Sequence, residues 1–376
     1  HVLPYLNNLE YLNVSLNQIS GKGFASMFGS LHSTKSIVDI NISANNLQND
    51  GMLAVATFLE MNSSIKSLNL SYNAVTDNEV ALLTDGVLKS KCLVSIDLSF
   101  NKITDVSLVS LLRLFKKPQN HDFSRKESRD TKKQLTFSTN DTKSKSSLSY
   151  FKNTMHSTSS MLSNDCYSAA SDAVKKLLFM PTVVKHQTSN LIRHSLLEDD
   201  LGVKSFEIHS LNISSNKLDS ASIANFLDSV SSIQYSNTLK KFNASGNIFN
   251  ASILPSVSRF LESGCLNEVK LRGNNLSGNS AHVTTFTNSI KKSSSMHTLN
   301  VENCQLGDAM MSNLFKSLGA SSLTELLASN NKITIKSLED LPQALSLSKL
   351  KVLALSNNNF GNEGVQKIVN HFLTIS

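Results

Sequence analysis

The stretch Leu93-Val94-Ser95-Ile96-Asp97-Leu98-Ser99-Phe100-Asn101-Lys102-Ile103 constrains this chain more than any other. It spells L-x-x-L-x-L-x-x-N-x-L, with Ile allowed at the Leu positions, and the phrase returns along almost the whole sequence. Ile96 and Leu98 lie two apart and share one face of a short strand. Ser95, Asp97 and Ser99 point the other way. Asn101 stands where the chain leaves the strand. Its amide can satisfy turn backbone groups that would otherwise be buried unpaired. Ile103 returns to the core, and Val106, Leu108, Leu111, Leu112 and Phe115 follow at helical spacing. One strand and one helix cannot bury their own apolar faces, so such units must stack.

The copies are placed by their turn residues: Asn17, Asn45, Asn73, Asn101, Asn216, Asn247, Asn274, Cys304, Asn331 and Asn358. Successive spacings are 28, 28 and 28, then 115, then 31, 27, 30, 27 and 27. A period near 28 leaves room for a full α-helix in each unit. Over roughly residues 9–116 and 206–376 the chain resembles the ribonuclease-inhibitor-like class of leucine-rich repeat. The resemblance implies an α/β solenoid, or horseshoe, with a parallel concave sheet and outer helices.

The chain divides into three parts: a first block of four repeats (1–117), a Ser/Lys-rich stretch (118–203) and a second block of six repeats (204–376). Between Lys116 and Tyr150 there are nine Lys/Arg against four Asp/Glu, most of the chain's net +7. The middle stretch shows no sustained apolar period up to Asn164, so it buries too little apolar surface to offset its ordering entropy and reads as largely disordered. Helical spacing returns after 170, around Ala173 to Leu178 and Leu191 to Leu197. The clean phrase on both sides predicts that the strand containing Leu98 pairs beside the one containing Ile213. At either end the chain reads as repeat without a polar cap, which suggests that it continues or that caps were cut away.

No apolar run of 18 or more residues appears, so no transmembrane segment is expected. Cys92, Cys166, Cys265 and Cys304 are scattered, with no C-x-x-C and no cysteine-rich end cap. That usage fits a reducing, cytoplasmic location. Cys304 occupies an Asn place in the turn series, where a thiol can stand in. N-x-S sequons at Asn13, Asn41, Asn69 and Asn212 share one repeat position, so the phrase explains them without glycan.

The outward strand positions read Asn13, Asn41, Asn69, Asp97, Asn212, Asn243, Lys270, Asn300, Leu327 and Ala354, a surface of small polar groups. On it, Tyr11, Asp97, Glu268, Lys270, Arg272, Glu302 and Glu325 are the candidate binding residues, the charged ones forming a mixed patch. Ser128 and Ser146 sit in basic-Ser motifs and are candidate phosphorylation sites, where phosphate would reverse local charge. The basic stretch suits an acidic partner or anionic lipid; nucleic acid is a weaker match. No nucleophile elbow, phosphate loop or metal-ligand spacing occurs, so no catalytic residue, metal or cofactor is expected.

The chain therefore reads as a non-catalytic protein-protein scaffold, the repeat segment of a larger intracellular protein. Similarity to CARMIL-type regulators, which carry long arrays of such repeats, implies an actin-regulatory or signalling setting. The alternative is a GTPase-activating or GTPase-binding module of RanGAP type. That family uses an arginine in its N-terminal repeats, whereas no Arg precedes Arg113 here.

Overall fold

Among the described residues strand and helix alternate, and every strand is three residues long. In the computed structural model, residues 8–90, 92–116, 207–232 and 238–375 are described, with side chains described up to 370. They fall in one compact unit, comprising His1–Pro118 and Lys185–Ser376. The Ser/Lys-rich stretch, the helices expected after 170, Cys166, Ser128, Ser146 and the N-terminal helix tail lie outside the described residues.

The strands are β1 (Tyr11–Asn13), β2 (Asp39–Asn41), β3 (Ser67–Asn69), β4 (Ser95–Asp97), β5 (Ser210–Asn212), β6 (Lys241–Asn243), β7 (Glu268–Lys270), β8 (Thr298–Asn300), β9 (Glu325–Leu327) and β10 (Val352–Ala354). They form one open parallel sheet in sequence order. The intervening helices are α1 (Gly21–Leu31), α2 (Gln48–Met61), α3 (Asp77–Lys89), α4 (Asp105–Leu112), α5 (Ser220–Val230), α6 (Leu254–Glu262), α7 (Ser280–Lys292), α8 (Gly307–Leu318), α9 (Leu341–Leu347) and α10 (Gly361–Ile375). Rungs of a sheet are about 4.8 Å apart and helices about 10 Å across, so the sheet takes the concave side and the helices the outside. β4 pairs with β5 in parallel, Ile96 opposite Leu211, so the two blocks stack directly as expected.

In the eight inner repeats the first, second and third Leu positions bury fully, while Leu9, Leu12 and Val14 at one end and Leu350, Leu353 and Leu355 at the other are partly buried. In the fourth repeat Leu93, Ile96, Leu98 and Ile103 are each at most 1% exposed. Burying one such side chain stabilises by roughly 1.5–3 kcal/mol, which makes the repeated phrase the main source of cohesion. Helix packing adds Phe24, Phe28, Phe58, Phe260, Phe286 and Phe315, all buried. In α2 the buried face uses Met52 and Val55, while Leu53 is only half-buried. In α4 Val106 and Val109 are exposed rather than core, because this short helix turns Leu108 and Leu111 inward. Gly86 is where α3 lies against α2: a Cβ there would be 2.5 Å from the Ala56 Cα.

The turn residues form a continuous amide ladder. Asn101 Nδ2 donates to the carbonyls of Leu70, Leu98 and Ser99, while its Oδ1 accepts from the Asn73 and Val75 N–H groups of the preceding repeat. Asn216 repeats the pattern, taking the Asn101 N–H at 3.2 Å across the long interval. Cys304 stands in as expected: it is buried, and its thiol meets the Leu271 and Glu302 carbonyls at 3.2 and 3.4 Å. Burial pushes that thiol up to about 12, so it stays protonated as a donor. A thiol supplies no amide oxygen, and the Leu276 N–H turns to the Cys304 carbonyl instead, at 2.9 Å. The ladder also breaks once. α2 enters through Leu47 and Gln48 in a different turn, and the buried Asn73 Oδ1 has no partner among the described residues.

The residue just before each turn residue adopts a left-handed backbone. It is Leu16, Ala44, Tyr72, Phe100, Ser215, Gly246, Gly273, Asn303, Asn330 and Asn357 in turn. Gly and Asn suit that conformation, whereas Leu, Tyr and Phe there cost about 1–2 kcal/mol each. At this position the bulkiest strained residues therefore fall in the first four repeats.

Ser99 departs from expectation. It points to the sheet face, yet it is only 5% exposed, and its hydroxyl donates to Asp97 Oδ1 at 2.6 Å. Neighbouring rungs cover a small side chain at the strand end.

Repeats are also tied at the helix entries. The Asp77 carboxylate accepts from the Thr104 N–H at 2.9 Å, the Thr104 hydroxyl at 2.6 Å, and the Ser107 hydroxyl. Asp308 holds Thr334 in the same way. Burial pushes the Asp77 carboxyl up, but the Ser107 and Thr104 donors outweigh it and hold the group below its ordinary 3.8. A depressed carboxylate stabilises fully above its unfolded value and loses that contribution as pH falls through the folded value. Asp77→Asn should cost about 1–2 kcal/mol at pH 7. Its gap from wild type in urea midpoint should narrow below about pH 3.8. An equal gap at pH 7 and pH 3 would show that the carboxylate charge is not what joins these repeats.

Candidate binding face

The candidate face follows from the two outward positions of each strand. Side chains alternate across a strand, so the residues flanking each buried central residue point away from the core. The parallel register lines them up as two rows. One runs Ser95, Ser210, Lys241, Glu268, Thr298. The other runs Asp97, Asn212, Asn243, Lys270, Asn300.

Most of the Asn residues in the second row are occupied locally. Asn13, Asn41, Asn69, Asn212 and Asn243 each accept, through Oδ1, the backbone N–H two residues on, at 2.9–3.1 Å. The recurrent N-x-S is thus an intrastrand cap. It closes each strand as the chain turns. Asp97 plays the same part, accepting from the Ser99 N–H at 2.9 Å, and its second oxygen takes the Asn212 amide at 2.9 Å.

Between β4 and β7 the rows frame a shallow groove of about 190 Å³, lined by Asp97, Asn212, Lys241, Asn243, Glu268 and Lys270 among others. Three rungs separate Asp97 from Lys270, roughly 14 Å. A carboxylate therefore stands at one end and an ammonium at the other, with amides between. Glu268 pairs with Lys270 on its own strand and with Lys241 across the rung at 3.6 Å. Burial pushes the Glu268 carboxyl up, but the lysines beside it reverse this and hold it below the usual carboxylate range. Arg272 and Glu302 pair at 3.6 Å just past the strand ends, and Asn300 also donates to Glu302. Glu325 accepts from the Thr298 hydroxyl at 3.0 Å.

The structure brings Glu268, Lys270, Arg272 and Glu302 into one paired cluster, with Glu325 two strands from β7. Asp97 joins them through the groove. Tyr11 does not: it is half-exposed on β1, at the far end of the sheet. Lys241, Asn212 and Asn243 line the same groove and were legible as members of the same sequence columns. Which rungs share a groove is set by the stacking of the strands, and that is not written in any single repeat. The arrangement offers hydrogen-bond donors, acceptors and balanced charge. No cluster of three or more His, Cys, Asp or Glu suited to a metal ion occurs among the described residues. None of their helices is long and apolar enough to cross a membrane.

Residues 5–27, 62–78, 89–112 and 346–369 match a family model described as Leucine Rich repeat. Among solved structures the chain is similar to an internalin from Listeria monocytogenes str. 4b F2365, at 15% identity and a TM-score of 0.42, covering 97% of this chain and 67% of that one. It is also similar to a chain of the mouse RP105/MD-1 complex, at 14% identity and a TM-score of 0.41, covering 98% of this chain and 46% of that one. This chain thus spans less than half the length of the second. No curated protein matches the sequence.

Proposed function

On a scaffold built of leucine-rich repeats, we propose a non-catalytic protein-binding role whose recognition surface is the sheet face from β4 to β9. The observation that carries it is the groove from Asp97 to Lys270, where a carboxylate and an ammonium stand at the two ends of a run of amides. A stacked array presents a long, stiff surface, and a stiff surface loses little entropy when a partner docks. Asp97 and Lys270 serve as the two charged anchors, and Glu268, Arg272, Glu302 and Glu325 flank them. A cytoplasmic, actin-regulatory or signalling setting is the reading for the whole protein, supported by Cys92, Cys265 and Cys304 being free thiols.

The test places a photo-crosslinking residue at Lys241, in the groove, or at Thr285, exposed on the outside of α7. Partner adducts should form at the groove position alone, and Asp97→Lys or Lys270→Glu should reduce them about tenfold while circular dichroism stays native. Equal adducts at both positions would sink the groove. Stimulated GTP hydrolysis by a captured small GTPase would overturn the non-catalytic scaffold.

A further inference from the structure

Tyr72 and Phe100 occupy the left-handed position of neighbouring repeats, with φ of 55° and 54°. The fold asks for no aromatic residue there, since the same place is Ser215 and Gly246 in the next two repeats. The two rings stack face to face, with centroids 4.2 Å apart and planes within 10°. Rung spacing imposes that stack. Both remain about half exposed, at 53% and 45%. Small Ser215 and bare Gly246 continue the row, so the outer face of Phe100 looks over a step with no ring on it. One more planar group fits there and would extend the stack.

The charge beside this step points to what carries that group. Lys102 is two residues past Phe100, and Lys217 occupies the matching place in the next repeat. The Lys217 N–H donates to the Ile103 carbonyl at 3.1 Å, so the two lysines sit on adjacent rungs. Both are exposed, and no ion pair involves either among the described residues. Like charges on facing rungs oppose one another until an anion arrives.

We propose that this edge is a second contact surface, which binds a peptide segment of a protein partner carrying an aromatic side chain next to carboxylates. The ring stacks on Phe100 over Ser215, and the carboxylates meet Lys102 and Lys217. A nucleic-acid strand fits less well, because its phosphates need a stripe of cations along several rungs, whereas this step offers the adjacent pair Lys102 and Lys217, and the next places in the row are Ile248 and Asn275. The surface stands apart from the groove and does not depend on it.

The chain contains no Trp, so the emission of a Trp-containing peptide reports on the peptide alone. A short peptide with one Trp flanked by Glu should show a blue shift and raised anisotropy on binding the full chain, weakened by salt. Phe100→Ser copies the residue the fold already uses at 215, so it should leave circular dichroism native and weaken binding about tenfold or more. Lys102→Glu with Lys217→Glu should do the same, and Lys291→Glu, exposed on α7, should change nothing. Replacing the peptide's Glu by Gln should also abolish the shift, and an excess of peptide with its Trp replaced by Ala should fail to compete with the Trp peptide. No binding of the acidic Trp peptide, or binding indifferent to Phe100→Ser and to the double lysine reversal, would overturn the proposal. So would tighter binding of a fluorescent oligothymidylate at the same residues.

Discussion

Leu98→Asp is expected to unfold the repeats on either side of the join between the two blocks. Leu98 is fully buried, and its N–H donates to the Asn212 carbonyl across that join at 2.8 Å. A carboxylate there loses the packing of a Leu and finds no cation. The expected loss is on the order of 4–5 kcal/mol or more. A solenoid spreads stability among nearest neighbours, so the damage should be greatest in repeats three to five. Hydrogen exchange should speed there first, and far-ultraviolet circular dichroism should lose helix and strand signal. Ser95→Asp is the proper outward control, because Ser95 lies on the open face. Ser99→Asp is not, since Ser99 is covered and already bonds the Asp97 carboxylate. A native spectrum and unchanged urea midpoint for Leu98→Asp would mean that the repeat register is wrong.

The register was legible because the phrase is a physical code. Leu93, Ile96 and Leu98 had to share a core, and Asn101 had to satisfy buried backbone, whatever the neighbours were. The pairing of β4 with β5 followed from the same logic, since a gap between the blocks would have left two apolar faces uncovered. What escaped the sequence lies at the positions that the phrase leaves free. Phe100 is an unconstrained letter in L-x-x-L-x-L-x-x-N, and nothing in one repeat reveals that it is left-handed or that Tyr72 lies against it. Ser99 looked exposed because alternation gives direction but not cover. The pairing of Glu268 with Lys241 as well as Lys270 depends on which rungs sit side by side. Only the stacked sheet settles that. Val106 failed for another reason: α4 is short, and helical spacing alone does not say where its apolar stripe is centred.

The amide ladder supports a sharper comparison between two asparagines that look identical in sequence. Asn101→Ala removes the only acceptor bonded to the Asn73 and Val75 N–H groups, at 2.9 and 3.0 Å. Both residues are buried, and each orphaned donor costs about 1–3 kcal/mol. The carbonyls that Asn101 Nδ2 serves do not suffer equally. Leu70 keeps the Asn73 amide, Leu98 keeps the Asn216 amide, and Ser99 keeps the Tyr72 N–H. The loss should therefore be about 2–5 kcal/mol, nearly all from the two donors. Asn73→Ala is different, because the Asn73 Oδ1 accepts nothing. The carbonyls of Ile42, Leu70 and Ser71 keep Asn45, Asn101 and the Ala44 N–H, so no donor or acceptor is orphaned. Asn73→Ala should be milder than Asn101→Ala by about 2 kcal/mol. Asn101→Cys, the exchange already present at Cys304, should cost nearly as much as Asn101→Ala, because a thiol restores the donated bond but not the amide acceptor that carries the loss. Urea denaturation of the three variants decides the matter. Equal losses at positions 73 and 101 would show that the ladder stabilises through its donated bonds, and that the break at the second repeat carries no energetic meaning.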